Sequence, residues 1–320
     1  MRLGTLKRGG RDGTLVVVAP GGDRAIEVAD WPTMQLALED WDLAMPALEA
    51  AELALKNGAG ETIGASDFAA PLPRAWQWLD GSAFPTHGHL MQQAFNLPPV
   101  ETDKPLMYQG MSHHFIAATD DVPLPSESDG IDFEGEFGII TGDVPMGCSA
   151  VDALDHIRLI VLINDWSLRS IAPVEMKTGF GWVQAKPACS VAPFAITPDE
   201  LGSAWRNGRV CLPLLVQVNG SWFGSPNGAA MAFGFHELIA HAAYSRPLPA
   251  GTIIGSGTVS NADHGSVGST CLSERRAIET IEYGMPRTSF LHFGDQVQMI
   301  ARLGGGEEPF GLINQRVVQG

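Results

Sequence analysis

The chain has 320 residues, of which 45% are hydrophobic and 18% charged, and its formal net charge is −16 at pH 7. This length provides for a large core and about two domains, and the negative charge argues against nucleic acid or an anionic membrane surface as a partner. Every apolar run is shorter than the roughly 18 residues that cross a bilayer, and the first ten residues lack the apolar segment of a signal peptide. We therefore expect a cytoplasmic protein.

The first hundred residues predict a small α/β domain. Strands are expected at 2–6 and 15–19, and a helix from Trp31 to about Lys56, with Pro46 marking an interruption or a new helical start. A second helical stretch is expected near 89–95. The Pro-rich passage that follows, Leu97-Pro98-Pro99-Val100, is typical of a boundary. We therefore predict one domain at 1–100 and a second at 101–320.

Strand patterns dominate the second domain. The pair Asn219-Gly220 separates two apolar segments and predicts a two-residue hairpin, and the clearest helix is expected at 235–245. The fold class is therefore α+β and mainly β. The predicted strands are 137–141, 157–163, 210–219, 252–254 and 296–301.

Three acidic residues in this domain have the pattern of a cation site. Glu134 and Glu136 are two residues apart, so in an extended segment both point to one face. Asp165 follows the apolar run 157–163, which is typical of a buried strand. Neighbouring buried carboxylates are costly unless a cation neutralises them, and oxygen ligands suit Mg²⁺, Mn²⁺ or Ca²⁺. The alternative is a solvated polar face, which is how a lone Glu-x-Glu most often occurs.

Single residues elsewhere are ambiguous when each is read alone. Lys186 precedes a proline beside aromatic residues, where a lysine either stabilises an anion or lies at the surface. The loop 255–261 offers backbone N–H groups and hydroxyls to a substrate, or is an ordinary turn. The histidine pairs His87/His89 and His113/His114 are read as metal ligands or as surface residues. The four cysteines lack a Cys-x-x-Cys pair, which favours buried thiols over disulfides or zinc.

Taken in order, seven segments of the chain resemble the fumarylacetoacetate hydrolase family. The likeness covers the whole second domain, and the first resembles the small domain of two-domain bacterial members. The segments are Tyr108-Gln109-Gly110, Asp132-Phe133-Glu134-Gly135-Glu136, Asn164-Asp165-Trp166-Ser167-Leu168-Arg169, Gln184-Ala185-Lys186-Pro187, Gly255-Ser256-Gly257-Thr258-Val259-Ser260, Cys271-Leu272-Ser273-Glu274 and Phe293-Gly294-Asp295.

The resemblance implies a fold, an assembly and a site. The second domain is expected to form the family's mixed β-sandwich or β-roll, and two chains to form a homodimer. Glu134, Glu136 and Asp165 are expected to share a divalent cation with a fourth ligand. The roles implied for other residues are substrate binding by Tyr108, Gln184 and Thr258, and catalysis by Lys186 and by Glu274, which matches a carboxylate that helps to activate water.

The chain departs from the family in two places. The family's first metal-binding aspartate lies just before a phenylalanine, where this chain has His113-His114-Phe115. His114 is therefore predicted as the fourth ligand, which shifts preference toward Mn²⁺, Fe²⁺ or Zn²⁺ or leaves the site weakened or empty. The histidine that hydrolytic members pair with a glutamate is absent from 116–121. Another general base is needed, and His87 and His113 are the candidates.

The predicted function is hydrolysis of a carbon–carbon bond in a small 2-keto acid or 1,3-diketone by a divalent-metal-dependent enzyme. Decarboxylation, hydration or isomerisation on the same fold are alternatives. A third alternative is a degenerate member that binds a metabolite without turnover, which the two departures favour.

Overall fold

The computed structural model describes residues 1–96, 98 and 102–320. The strands are β1 (Arg2–Leu6), β2 (Thr14–Val18), β3 (Arg24–Glu27), β4 (Glu61–Thr62), β5 (Trp78–Gly81), β6 (Met107–Gly110), β7 (Ile116–Ala117), β8 (Val122–Leu124), β9 (Ile131–Asp132), β10 (Gly135–Thr141), β11 (Ile157–Asn164), β12 (Ser167–Leu168), β13 (Ser190–Val191), β14 (Phe194–Ile196), β15 (Trp205–Arg206), β16 (Arg209–Val210), β17 (Leu214–Val218), β18 (Ser221–Gly224), β19 (Ile253–Gly255), β20 (Gln296–Ala301) and β21 (Ile313–Gln319). The helices are α1 (Met34–Glu39), α2 (Trp41–Lys56), α3 (Pro85–Phe95), α4 (Ala150–Ala153), α5 (Ala172–Thr178), α6 (Phe235–Ala242), α7 (His264–Val267) and α8 (Leu272–Tyr283).

A 12-stranded mixed sheet organises the molecule. Its main path runs β4-β3-β2-β1-β14-β11-β10-β19-β5-β6, with β13 and β7 attached beside β11. The first strands of the chain thus continue the sheet of the second half, through the antiparallel pair β1–β14. A second sheet, β18-β17-β20-β21-β8, packs nearby. The α+β, mainly β fold class is confirmed.

The central strands are buried on both faces, which their sequence explains. In β11, Leu159, Val161 and Ile163 belong to one apolar core, and Ile160 and Leu162 to another. A nearly continuous apolar run is the pattern expected of a strand covered on both sides. The end of β11 therefore carries Asp165 into the interior.

Most predicted elements are confirmed, and the hairpin agrees in detail. Asn219 and Gly220 both have positive φ, 51° and 74°, between the antiparallel strands β17 and β18, as a type I′ turn requires. The expected helix 31–56 is instead two helices that meet at Asp40, with Pro46 inside α2. The helix α8 was not predicted.

The predicted domain boundary, between residues 100 and 101, lies outside the described residues. Within the described part of the chain, none of the helices is both long and apolar enough to cross a membrane.

Candidate metal centre

Three buried carboxylates meet where the central strands of the large sheet run side by side. One oxygen each from Asp80, Glu136 and Asp165 lies within 4.8 Å of the others. Asp80 is on β5, Glu136 is on β10, and Asp165 directly follows β11. Since the sheet order is β11-β10-β19-β5, strands remote in sequence bring the three together. All three side chains are at least 95% buried; relative exposure is 5%, 0% and 0%.

A glycine on the intervening strand makes room for this cluster. Gly255 of β19 is paired with Asp80 across the parallel β5 and with Gly138 across β10. A Cβ atom at Gly255 would lie 2.4 Å from Asp80 Oδ1 and 2.8 Å from Glu136 Oε2. The backbone N–H of Gly257 donates to those same two oxygens at 3.2 Å. The loop that sequence analysis singled out therefore shapes the space between the carboxylates.

The cluster carries more negative charge than its surroundings neutralise. Burial and the charge of Asp165 raise the pKa of Asp80 to about 8. Burial and the charges of Asp80 and Asp165 raise the pKa of Glu136 well above its ordinary value. Glu136 Oε1 is fully buried and has no hydrogen-bond partner among the described residues. An all-oxygen donor set with such an orphaned oxygen fits a hard divalent cation such as Mg²⁺ or Mn²⁺.

Glu134 lies beside the three carboxylates and is already paired with two cations. Its Oε1 accepts from Arg169 Nη2, and its Oε2 accepts from Lys186 Nζ at 2.6 Å. Burial alone raises the pKa of Glu134, but the charges of Lys186 and Arg169 outweigh burial and hold the pKa below its ordinary value. Arg169 is fixed in turn by Asp132, whose Oδ2 lies 2.8 Å from Nε.

Asp165 is held by three side chains. Its Oδ2 accepts from the Tyr108 hydroxyl at 2.6 Å and from Lys186 Nζ at 2.7 Å, and its Oδ1 accepts from the Cys189 thiol at 2.9 Å. Burial alone lowers the pKa of the Lys186 ammonium, but Asp165 and Glu134 outweigh burial and raise the pKa. Lys186 therefore stays charged. The thiol of the buried Cys189 donates to this carboxylate, a contact that no sequence pattern indicates.

His87 and Glu274 form a further polar contact. His87 Nδ1 lies 3.1 Å from Glu274 Oε2, and Glu274 is fully buried while His87 reaches a cavity. The helices that carry them, α3 and α8, pack through Leu90 and Ile278. A carboxylate at Nδ1 requires a proton there, which leaves Nε2 as an acceptor. The pair therefore has the geometry of a histidine base oriented by a glutamate.

One cavity of about 360 Å³ is bordered by Asp80 of the cluster and by His87 of the pair. Glu136, Asp165 and Glu274 are buried and do not line it. Its lining includes predicted residues together with apolar residues, among them three methionines and a tryptophan. The predicted residues that line it are His87, Tyr108, Glu134, Lys186 and Thr258.

The structure does not bring His114 to the carboxylates. His114 and His113 are exposed and line a separate cavity of about 650 Å³. Asp80 occupies the position in the cluster that the sequence assigned to His114, so that assignment is corrected. Gln184 is exposed too, and its backbone N–H, not its side chain, bonds Glu175.

Asp80 is the member of the carboxylate cluster that sequence analysis did not predict. The sequence carries a weak local signal for it, because the apolar residues Trp78 and Leu79 precede Asp80 as a longer apolar run precedes Asp165. The strand is only four residues long and adjoins a helical pattern, so its strand character is hidden. Its proximity to Glu136 depends on pairing with β19, more than 170 residues later.

The raised pKa of Asp80 predicts a pH-dependent affinity for Mn²⁺. Below pH 8 the metal-free protein holds a proton on Asp80 that a cation must displace. The apparent affinity should therefore rise about tenfold per pH unit for each displaced proton, and level off only where both Asp80 and Glu136, whose pKa is raised as well, have lost their protons. Calorimetry at pH 6–9, in buffers of different ionisation enthalpy, measures both affinity and proton release. A pH-independent affinity without proton release contradicts the prediction.

Two family models together cover nearly the whole chain. The model described as fumarylacetoacetate (FAA) hydrolase C-terminal matches residues 77–318, and that described as fumarylacetoacetase N-terminal domain 2 matches residues 1–74. The two matches adjoin between residues 74 and 77, and the boundary at 100 stays a prediction.

Curated relatives resemble part of the chain. A 2,4-didehydro-3-deoxy-L-rhamnonate hydrolase of Sphingomonas sp. (strain SKA58) is 29% identical over 163 residues, 50% of this chain and 54% of that protein. The mitochondrial oxaloacetate tautomerase fahd2 of Xenopus laevis is 25% identical over 173 residues, 53% of this chain and 51% of that protein. The chain thus spans about half the length of the curated relatives it matches.

Solved structures match along the whole chain. Maleylpyruvate hydrolase from Sphingobium sp. SYK-6, in complex with manganese(II) ion and pyruvate, has a TM-score of 0.65 and 19% identity. The alignment covers 100% of both chains. This likeness shows that the fold is shared.

Proposed function

The chain belongs to the fumarylacetoacetate hydrolase family, and on that premise we propose that it is a divalent-metal-dependent hydrolase of carbon–carbon bonds in small 2-keto acids or 1,3-diketones. The observation that carries the proposal is the cluster of Asp80, Glu136 and Asp165 beside the His87–Glu274 pair. A cation site and an oriented base on one cavity are the two parts that such hydrolysis requires.

Asp80, Glu136 and Asp165 would hold the cation, with Glu134 beside them. When bound, a divalent cation polarises the oxygens of a keto acid and draws charge from the bond that breaks. A solved neighbour in complex with manganese(II) ion and pyruvate supports this choice of cation and ligand. Magnesium is equally compatible with the oxygen donors.

The side chains around the cavity supply the remaining chemistry. His87 Nε2 takes a proton from water, which attacks the carbonyl carbon remote from the carboxylate, while Glu274 holds the imidazole. The electron pair of the broken bond passes to the keto acid fragment as an enolate. Lys186 and the Thr258 hydroxyl face this fragment and offset its negative charge. The proton that His87 took from water returns to the enolate carbon, which completes the release of a carboxylic acid and the keto acid.

The same site supports tautomerisation as a second candidate. Matched relatives include oxaloacetate tautomerases, and a keto–enol exchange needs the polarised keto acid and a base, without water addition. In the sequence, His114 in place of the family's aspartate favours the alternative of a degenerate member, which binds a metabolite without turnover. Asp80 supplies the third carboxylate of the cluster, and the His87–Glu274 pair supplies a base. Together they support an active enzyme.

Metal depletion followed by add-back tests the proposal. After chelator treatment and dialysis, we expect no cleavage of acetylpyruvate, and recovery when Mn²⁺ or Mg²⁺ is added. Product analysis by NMR separates the two reactions, since hydrolysis yields acetate and pyruvate whereas tautomerisation of oxaloacetate leaves its carbon skeleton intact. Absence of both Mn²⁺ binding and cleavage of acylpyruvates at saturating metal contradicts the hydrolase assignment.

A further inference from the structure

The residues that line the cavity are of two chemical kinds. The charged or titratable ones include Asp80, Glu134, Lys186, Arg169 and His87. Six apolar residues, which we call the apolar wall, line it as well: Met91, Leu106, Met107, Ala172, Met176 and Trp182. A keto acid head bound at the charged residues leaves the apolar wall to the remaining atoms of the substrate.

The apolar wall is ordered by contacts of its own. The ring of Trp182 packs edge-to-face on Tyr108, with 6.1 Å between centroids and an interplanar angle of 86°. The loop around it is anchored by Glu175, whose carboxylate accepts from the backbone N–H groups of Val183, Gln184 and Ala185 at 2.8–3.0 Å. Tyr108 also donates to Asp165, so Trp182 is connected to the carboxylate cluster through Tyr108.

The cations of the cavity are already committed to buried carboxylates. Lys186 donates to Glu134 and Asp165, and Arg169 donates to Asp132 and Glu134. Their two positive charges are already offset by the three carboxylates of Asp132, Glu134 and Asp165, so neither cation has charge in excess for a second anionic group of the substrate.

A second anionic group would find no partner at the wall. In the described ranges 1–96, 98 and 102–320, Lys186 and Arg169 are the only lysine and arginine that line the cavity. The four other residues of the chain are Leu97, Pro99, Val100 and Glu101, none of them cationic. A carboxylate against the wall would lose hydration without compensation, whereas an alkyl or aryl group gains from burial.

We propose that the substrate carries an uncharged, apolar group at the end remote from its keto acid head, so that it is an alkyl- or aryl-acylpyruvate and not a dicarboxylate. The inference rests on the function proposed above and narrows it to one substrate class. The volume of about 360 Å³, at the small end of ligand cavities, suits a short chain or a single ring.

Two probes of equal length isolate the terminal group. Butanoylpyruvate ends in a methyl group where succinylpyruvate ends in a carboxylate, and the two share every other carbon position. With the Mn²⁺-loaded full chain, we expect butanoylpyruvate to have a kcat/KM at least about tenfold higher and a correspondingly lower Kd by calorimetry. Equal values, or a preference for succinylpyruvate, overturn the inference.

The binding measurement separates this inference from the proposed function. If butanoylpyruvate binds more tightly but neither probe is cleaved, the apolar preference holds and the hydrolase function fails. If both are cleaved without preference, the hydrolase function holds and the inference fails. If neither binds, both fail.

A matched pair of lysine substitutions locates the preference. Met176 and Val174 lie on α5 with 62% and 67% exposure, but only Met176 lines the cavity. Met176→Lys should reduce the preference for butanoylpyruvate about tenfold, because the new ammonium pairs with the distal carboxylate of succinylpyruvate. Val174→Lys adds the same charge and should leave the ratio unchanged. An unchanged ratio in Met176→Lys, or an equal shift in both variants, counts against the apolar wall.

Discussion

Replacing Asp80 by asparagine is expected to weaken Mn²⁺ binding by at least about 100-fold, because losing even a residue that only supports a metal ligand costs 10–100-fold. Asparagine keeps the shape of the side chain but removes one negative charge from the cluster with Glu136 and Asp165. Turnover should fall in parallel and recover in part at high metal concentration. Calorimetric titration with Mn²⁺ and steady-state kinetics at several Mn²⁺ concentrations measure the two effects.

The matched control for Asp80 is His114→Asn. His114 is exposed in a separate cavity, so its replacement should leave the Mn²⁺ affinity within about twofold of the wild-type value, as expected for surface substitutions remote from a site. Loss of Mn²⁺ affinity in His114→Asn together with normal affinity in Asp80→Asn would show that His114, and not Asp80, is a metal ligand, as the sequence predicts.

Replacing His87 by asparagine is expected to lower kcat about 10²–10⁴-fold, the usual contribution of a positioned general base. Its Mn²⁺ affinity should stay close to wild type, since His87 contacts Glu274 and not the three carboxylates. The effect on kcat without an effect on metal binding separates the proton-transfer step from the cation site. Stopped-flow or steady-state assays with acetylpyruvate measure it.

His89→Asn is the control for His87, because His89 lies on the same helix, α3, and is exposed. It should behave as wild type. Glu274→Gln should lower kcat by part of the amount lost in His87→Asn, since a neutral amide holds the protonated Nδ1 of His87 less strongly than a carboxylate does. A wild-type kcat in His87→Asn would show that another group accepts the proton.

The local parts of the site were predictable from the sequence. Strand alternation places Phe133 and Phe137 in the core and Glu134 and Glu136 on the opposite face, as expected. The apolar run before Asp165 is a buried strand. Each of these inferences depends only on the side chains of one segment.

The missed parts depend on contacts between distant segments. Asp80 joins the cluster because β5 pairs with β19. No pattern within either segment predicts that pairing. Glu134 forms ion pairs with Arg169 and Lys186. It therefore lies next to the cluster of Asp80, Glu136 and Asp165 and is not a member of it. Helix α8, which supplies Glu274, begins at Cys271, an unusual residue for a helix N-cap. The homodimer and the cytoplasmic localisation stay predictions.

Anomalous X-ray scattering from crystals grown with Mn²⁺ tests the central claim most directly, because it locates the cation among its ligands. Our account predicts one strong peak per chain, coordinated by Asp80, Glu136 and Asp165 and remote from His114. A peak at His113 and His114, or no peak between the three carboxylates at saturating Mn²⁺, would contradict it.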